Sequence, residues 1–152
     1  MRIIVDADGC PVKEIVEKTA RKYGLEALFV TDYNHVLRSD YARIITVDQQ
    51  QDSADLKIAA LAQANDVIVT GDYGVAALTL AKGCAPIQFS GVWYTNKNID
   101  GLLLNRHIGM QIRKRGKYTK GPKKRTGKMD REFEEGLKKL VEKIMIKLKT
   151  QD

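Results

Sequence analysis

The aspartates of this chain stand where a parallel sheet would gather them. Asp6 and Asp8 directly follow the apolar run Arg2-Ile3-Ile4-Val5, Asp48 and then Asp52 follow the run from Tyr41 to Val47, and Asp72 follows Asp66-Val67-Ile68-Val69-Thr70. Asp55 lies one helical turn beyond Asp52, on the same face of a predicted helix. In open α/β sheets ligands bind outside the carboxyl ends of the strands, which is where these residues fall. Carboxylates pressed together repel and raise each other's pKa unless a cation neutralises them. Hard oxygen donors of this kind select Mg²⁺ or Mn²⁺. Asp6, Asp8, Asp52, Asp55 and Asp72 are therefore the candidate metal ligands. Each has a plainer reading when taken alone: aspartate is common in turns and at helix starts, and Asp52 or Asp55 can simply cap its helix. Asp6, Asp8 and Asp72 stand apart because the two strands that carry them are expected to be central neighbours.

Other chemistries fit less well. Asp6-x-Asp8 after a first strand opens the haloacid-dehalogenase phosphatase pattern, and Thr70 ends a later strand as that pattern's second motif would. A paired acidic motif should then follow a later strand, but the run ending near Phe89 leads into Ser90-Gly91-Val92-Trp93. Cys10 at a helix start invites a thiolate reading. The phosphatase loop C-x₅-R would need arginine where Val16 stands. Gly71-x-x-Gly74 is too short for a dinucleotide or phosphate-loop fingerprint and reads as a turn. His35 in a polar stretch and His107 beside Arg106 have no third partner in sequence and read as surface residues.

The elements that must position these side chains follow from periodicity. Arg2 to Val5 reads as a strand, and Pro11 opens a helical pattern with Val12, Ile15, Val16, Thr19 and Ala20 on one face. Leu25 to Val30 and Tyr41 to Val47 read as strands. From Ser53 the pattern is helical up to Asn65, a C-cap candidate. The run Asp66 to Thr70 lacks polar alternation, as a strand buried on both faces does. Gly71-Asp72-Tyr73-Gly74 breaks it, Val75 to Ala81 resumes as helix, Gly83 stops that helix, and Ala85 to Phe89 is a strand. The order β-α-β-β-α-β-α-β predicts a mostly parallel sheet covered by helices on both faces. Asn98 is expected to cap a helix through Ile112, and Asp130 a last amphipathic helix ending near Lys149. One α/β domain over residues 1–152 is expected, with the sheet core in residues 1–95 and a helical extension in 96–152.

Composition agrees with one core, since 152 residues at 43% hydrophobic leave no room for two ordinary domains. No apolar run approaches the roughly 18–20 residues that span a bilayer, and no signal-peptide pattern opens the chain, so a soluble, cytoplasmic protein without a membrane partner is expected. Cys10 and Cys84 show no disulfide or CxxC spacing and are expected to be reduced thiols.

Charge is informative by position. Residues 113–128 hold nine cations and no anion, namely Arg113, Lys114, Arg115, Lys117, Lys120, Lys123, Lys124, Arg125 and Lys128, leaving 17 basic and 19 acidic residues elsewhere. With Gly116, Gly121, Pro122 and Gly127 among them, this is the composition of a mobile cationic loop suited to the phosphates of a nucleic acid. A solvated connection is the plainer alternative. Tyr118 lies among the cations, and Trp93-Tyr94 could offer base stacking or pack beneath a helix.

Four stretches carry a family resemblance: Val5-Asp6-Ala7-Asp8-Gly9-Cys10-Pro11-Val12-Lys13, Asp52-Ser53-Ala54-Asp55, Val69-Thr70-Gly71-Asp72-Tyr73-Gly74-Val75-Ala76, and Gly121-Pro122 followed by Asp130-Arg131-Glu132-Phe133. Over nearly its whole length the chain resembles the bacterial YaiI/YqxD family, whose core is similar to the PIN-like nucleases. That resemblance implies a PIN-like α/β domain in which acidic strand-end residues hold Mg²⁺ or Mn²⁺ for phosphodiester hydrolysis, of RNA more than DNA. Asp6, Asp8, Asp55 and Asp72 are the matching positions for catalysis, with Asp52 an additional ligand. The cation would polarise a phosphoryl oxygen and lower the pKa of a bound water while the carboxylates set its position. Two departures from the family's pattern are Lys120-Gly121, where a doubled glycine is expected, and Tyr73-Gly74, where an aliphatic pair is usual. Neither removes a carboxylate. A phosphatase and a catalytically inactive nucleic-acid-binding protein are the alternatives.

Overall fold

The computed structural model describes residues 1–32, 37–48, 53–116 and 124–151. Among them five strands, β1 (Arg2–Asp6), β2 (Glu26–Asp32), β3 (Arg43–Val47), β4 (Val67–Val69) and β5 (Ala85–Ile87), form one sheet in the order β3-β2-β1-β4-β5. Every pairing is parallel. The expected α/β class and the neighbouring of β1 and β4 are thus observed. Ile3, Ile4 and Val5 in β1 and Val67, Ile68 and Val69 in β4 are fully buried, as unbroken apolar runs between two helical layers must be.

Side chains alternate across the sheet and supply two cores. On one face Ile3, Val5, Val67, Val69 and Ile87 pack with Val16 and Ala20 of helix α1 (Lys13–Tyr23) and with Phe133, Leu137 and Val141 of α5 (Gly127–Thr150). On the other, Ile4, Leu28, Val30 and Ile68 meet Ile58 of α2 (Ala54–Leu61) and Val75 of α3 (Tyr73–Ala81). Helix α4 (Ile99–Lys114) lies against α3 through Ile99, Tyr94 and Ala76. The terminal helix α5 therefore completes the main core. At its middle, a Cβ on Gly136 would collide with the Gly91 carbonyl, and Trp93 Nε1 donates to the Gly136 carbonyl at 2.9 Å. Trp93 through this bond and Tyr94 through its burial both take part in the packing.

Several boundaries differ from expectation. α2 ends at Leu61 rather than Asn65, because Arg2 reaches over to take the Leu61 carbonyl at 2.8 Å while pairing with buried Asp66 at 2.9 Å. Breaking such a buried pair typically costs about 3–5 kcal/mol. Asn65 instead adopts φ +73° in the turn before β4, with its N–H on the Gly83 carbonyl. α5 starts at Thr126, whose Oγ1 accepts from the Met129 N–H at 3.3 Å; Asp130 is inside the first turn and pairs with Arg125 at 2.6 Å instead of capping. Asn98 precedes α4 but its Oδ1 accepts from the Thr95 N–H, not from the helix. α4 also runs to Lys114, so Arg113 and Lys114 are helical, where they complement the C-terminal dipole, and Arg115 ends the helix. Lys128 is likewise helical, in the first turn of α5, so the cationic segment is narrower than the sequence suggests.

Candidate functional site at the strand ends

β1 and β4 run side by side with Val5 opposite Val69, so the residues that follow each strand emerge together. Asp6 is the last residue of β1. The chain then turns sharply, with the Ala7 N–H on the Val30 carbonyl at 2.9 Å and Gly9 at φ +70°, a conformation that favours glycine, and Asp8 sits within this turn. Beyond β4, the Thr70 N–H bonds the Ile87 carbonyl at 3.1 Å and the chain enters α3 with Asp72 as N-cap. A hollow of about 440 Å³ opens at this edge, lined by Asp6, Asp8, Gly71, Asp72, Tyr73 and Phe89. Three of the five candidate ligands thus line one hollow.

Hydrogen bonds hold these carboxylates apart as much as together. Asp72 Oδ1 accepts from the Gly74 and Val75 N–H groups at 2.7 and 3.1 Å, a capping arrangement commonly worth about 1 kcal/mol. Asp8 Oδ1 accepts from the Thr31 hydroxyl and Oδ2 from the Asp32 N–H at 3.2 Å. Asp6 Oδ2 accepts from Thr70 Oγ1 at 3.1 Å, and the same hydroxyl accepts from the Asp72 N–H at 3.0 Å. Burial pushes the Asp6 carboxyl up to about 6; the Thr70 bond opposes that rise, while Asp55, Asp72 and Asp8 add to it. Asp55, in the first turn of α2 behind its Ser53 cap, is therefore close enough to act on Asp6 electrostatically without lining the hollow.

Asp48 leaves β3, with β2 between it and β1. Asp52 lies outside the described residues, as do His35, Tyr118, Lys117, Lys120 and Lys123 of the sequence reading. His107 is exposed on α4 and lines no part of the hollow. Cys10 is buried and its thiol is pushed up to about 11 by that burial, the reverse of an activated thiolate. Thr31, Asp32, Thr70, Tyr73 and Phe89 are the parts of the site that sequence reasoning did not assign to it. Their signal was available only as polar or aromatic residues at the ends of apolar runs.

Among the described residues no three carboxylate, imidazole or thiol groups stand together as a ready-made metal cage. The donor set nonetheless suits a hydrated Mg²⁺, which keeps several waters and takes only one or two carboxylates. Asp6 supplies the strongest local reason, since a cation would relieve the unfavourable charge that burial and its neighbours impose on it.

Of the cationic residues, Arg125 is fixed by the fold: Nε pairs with Asp130 at 2.6 Å and Nη2 donates to the Phe89 carbonyl at 2.9 Å. It is an anchor for the rim of the hollow rather than one cation of a solvated loop. Lys13 Nζ reaches the Ala7 carbonyl at 3.4 Å on the other side. A second hollow, about 420 Å³ between β5 and α5, is largely apolar and has no carboxylate in its wall.

Comparison with known proteins follows the same outline. A family model, "Uncharacterized BCR, YaiI/YqxD family", matches residues 4–143. A UPF0178 protein of Alkaliphilus oremlandii is 47% identical over 150 residues, covering 98% of this chain and 96% of its own. Another, of Natranaerobius thermophilus, is 45% identical over 151 residues and covers 99% of both. Among solved structures, Rae1 (YacP) of Bacillus subtilis aligns over 96% of this chain and 99% of its own at 14% identity and a TM-score of 0.44, a likeness too slight to bear on function.

Proposed function

The chain belongs to the YaiI/YqxD family, and from that premise we propose that it is a metal-dependent phosphodiesterase acting on nucleic acid, RNA in preference to DNA, in which Asp6, Asp8 and Asp72 hold a hydrated Mg²⁺ or Mn²⁺, one or two of them directly and the rest through its waters, with Asp55 as a supporting charge. The observation that carries this reading is the Thr70 hydroxyl joining Asp6 to Asp72 at the mouth of the acidic hollow. It ties the Asp6 carboxylate to the backbone of Asp72, and separately the charges of Asp55, Asp72 and Asp8 raise the pKa of Asp6.

When bound, a divalent cation supplies Lewis-acid polarisation of a phosphoryl oxygen and a more acidic water. The chain's own residues do the positioning. Asp8 is held by Thr31 and by the Asp32 backbone, and Asp72 by the first turn of α3, so neither has to be ordered when substrate arrives. Asp6, whose carboxyl is raised by burial and by its neighbours' charge, gains most from a cation's neutralising charge. Lys13, bonded to the Ala7 carbonyl between Asp6 and Asp8, offsets part of the charge of an arriving phosphate, while Arg125 fixes the backbone of Phe89.

The phosphatase alternative draws on the same Thr70 to Asp6 bond, but β5 leads into Gln88, Phe89 and Ser90 and brings no paired carboxylates to the hollow. A panel of labelled single-stranded and structured RNA and DNA, incubated with Mn²⁺, Mg²⁺ or EDTA beside a generic phosphomonoester, separates the readings. Cation-dependent strand cleavage that Asp72→Asn abolishes is the expected result. Phosphate release from the monoester alone would favour the phosphatase, and binding without turnover a non-catalytic binder.

A further inference from the structure

Two walls of the hollow are aromatic, and both are built to stay in place. Tyr73, the first residue of α3, meets the Tyr94 ring edge to face at 5.8 Å and 72°, and its hydroxyl accepts from Gln88 Nε2 at 3.4 Å. Tyr94 in turn donates to the Thr70 carbonyl at 3.2 Å, so Tyr73 is braced against the strand end that carries the carboxylates. The second aromatic wall, Phe89, lies over Gly71. A Cβ at residue 71 would come within 3.0 Å of Phe89 Cε2, so only glycine there lets the ring approach so closely. The Phe89 carbonyl is fixed by Arg125, and Arg125 by Asp130.

Both rings remain partly exposed within a hollow whose other walls are Asp6, Asp8, Gly71 and Asp72. Carboxylates suit a hydrated cation and hence a phosphate; they offer nothing to an apolar group. Tyr73 and Phe89 do the opposite. A ligand that satisfies both halves joins an anionic phosphate to a flat apolar ring a few ångströms away, which is the constitution of a nucleotide unit. In a duplex the base faces are hidden by stacking, whereas an unpaired base presents its faces to an aromatic side chain.

We infer that Tyr73 and Phe89 form a base-binding subsite that makes the acidic hollow selective for unpaired nucleic-acid strands. This rests on the phosphodiesterase reading for the phosphate half of the ligand, and the subsite adds the base half. Arg125 serves the subsite indirectly, by fixing the backbone of Phe89.

The test uses short fluorescent single strands, intact or carrying one abasic position stepped along the strand, and the matching duplexes. Affinity is read by anisotropy in Ca²⁺, and turnover separately in Mn²⁺. Wild type is expected to bind the intact strand roughly tenfold more tightly than the best-placed abasic one, the effect of losing one base–aromatic stack. Tyr73→Ala should lose that discrimination and Tyr73→Phe should keep it. Because Phe89 also packs against the core, Phe89→Leu rather than Phe89→Ala is the second variant, with its melting curve recorded alongside. Equal affinity for intact and abasic strands at every position, or duplex bound and cut as well as single strand, would overturn the subsite. Base discrimination that follows Tyr73 while no strand is cut in Mn²⁺ would uphold the subsite and remove the hydrolytic reading instead.

Discussion

Thr70 Oγ1 stands 3.1 Å from Asp6 Oδ2 and donates to it, across the seam between β4 and β1. The same buried hydroxyl accepts the Asp72 N–H, so one side chain links the Asp6 carboxylate to the Asp72 backbone. The consequences can be measured.

Thr70→Val keeps the shape and removes the hydroxyl. It should destabilise the protein by about 1–3 kcal/mol, the usual cost of leaving buried polar partners unmade, and move the acidic limb of any pH–activity profile to higher pH, because the bond that lowers the Asp6 pKa is gone. Thr70→Ser should restore both. A profile identical to wild type in Thr70→Val would mean that Asp6 does not set the acidic limb.

Mn²⁺ should raise the thermal midpoint of the wild type with a dependence on concentration that follows site occupancy. Asp6→Asn and Asp72→Asn each remove one ligand charge while nearly preserving shape, and Asn at residue 72 remains a competent helix cap. Both variants should show a smaller shift. An undiminished shift in both places the cation elsewhere on the protein.

Without divalent cations, Asp6 should make the protein less stable as pH rises. Its carboxyl, ordinarily near 3.8, is raised to about 6 in the folded state, first by burial. Between these values the native state holds the proton that the unfolded chain has lost, so stability falls across that window by an amount on the order of 2–3 kcal/mol and is flat above it. Asp6→Asn should therefore melt higher than wild type at pH 8 in EDTA and about equally at pH 4. Chemical denaturation at the two pH values checks this, and a variant less stable at pH 8 contradicts it.

The cationic residues should separate into two kinds. Replacing Lys123 and Lys124 with Ala should flatten the slope of log affinity against log salt by about 1.4 if both meet phosphates of a single strand, at about 0.7 each. Arg125→Ala should instead lower the melting temperature, since it breaks the pair with Asp130 and the bond to the Phe89 carbonyl. If the salt slope is unchanged by the double substitution, those two lysines are solvent-facing only.

How much was legible in advance varies by element. β1 and β4 were readable because unbroken runs such as Ile3-Ile4-Val5 and Val67-Ile68-Val69 suit only strands covered on both faces. Their adjacency was an expectation that the handedness of parallel connections does not fix by itself; the sheet order supplies it. Helix ends were less readable. α2 stops where Arg2, some sixty positions away in sequence, takes the Leu61 carbonyl, and the first turn of α5 is set by Thr126 because Asp130 is engaged by Arg125.

The sequence by itself determined which residues carry negative charge at strand ends, because alternation and turn chemistry are local and place Asp6, Asp8 and Asp72 just beyond their strands whatever the rest of the chain does. Only the tertiary structure decided which of them meet, and with what. Sheet order puts Asp6 beside Asp72 and leaves Asp48 beyond β2; Asp55 arrives from a helix on the far core; Phe89 and Tyr73 become walls of the same hollow through bonds to Arg125 and Gln88 and an edge contact with Tyr94. Those relationships depend on how strands are ordered and how side chains from distant segments pack, and a pKa raised by burial exists only once that packing has excluded water.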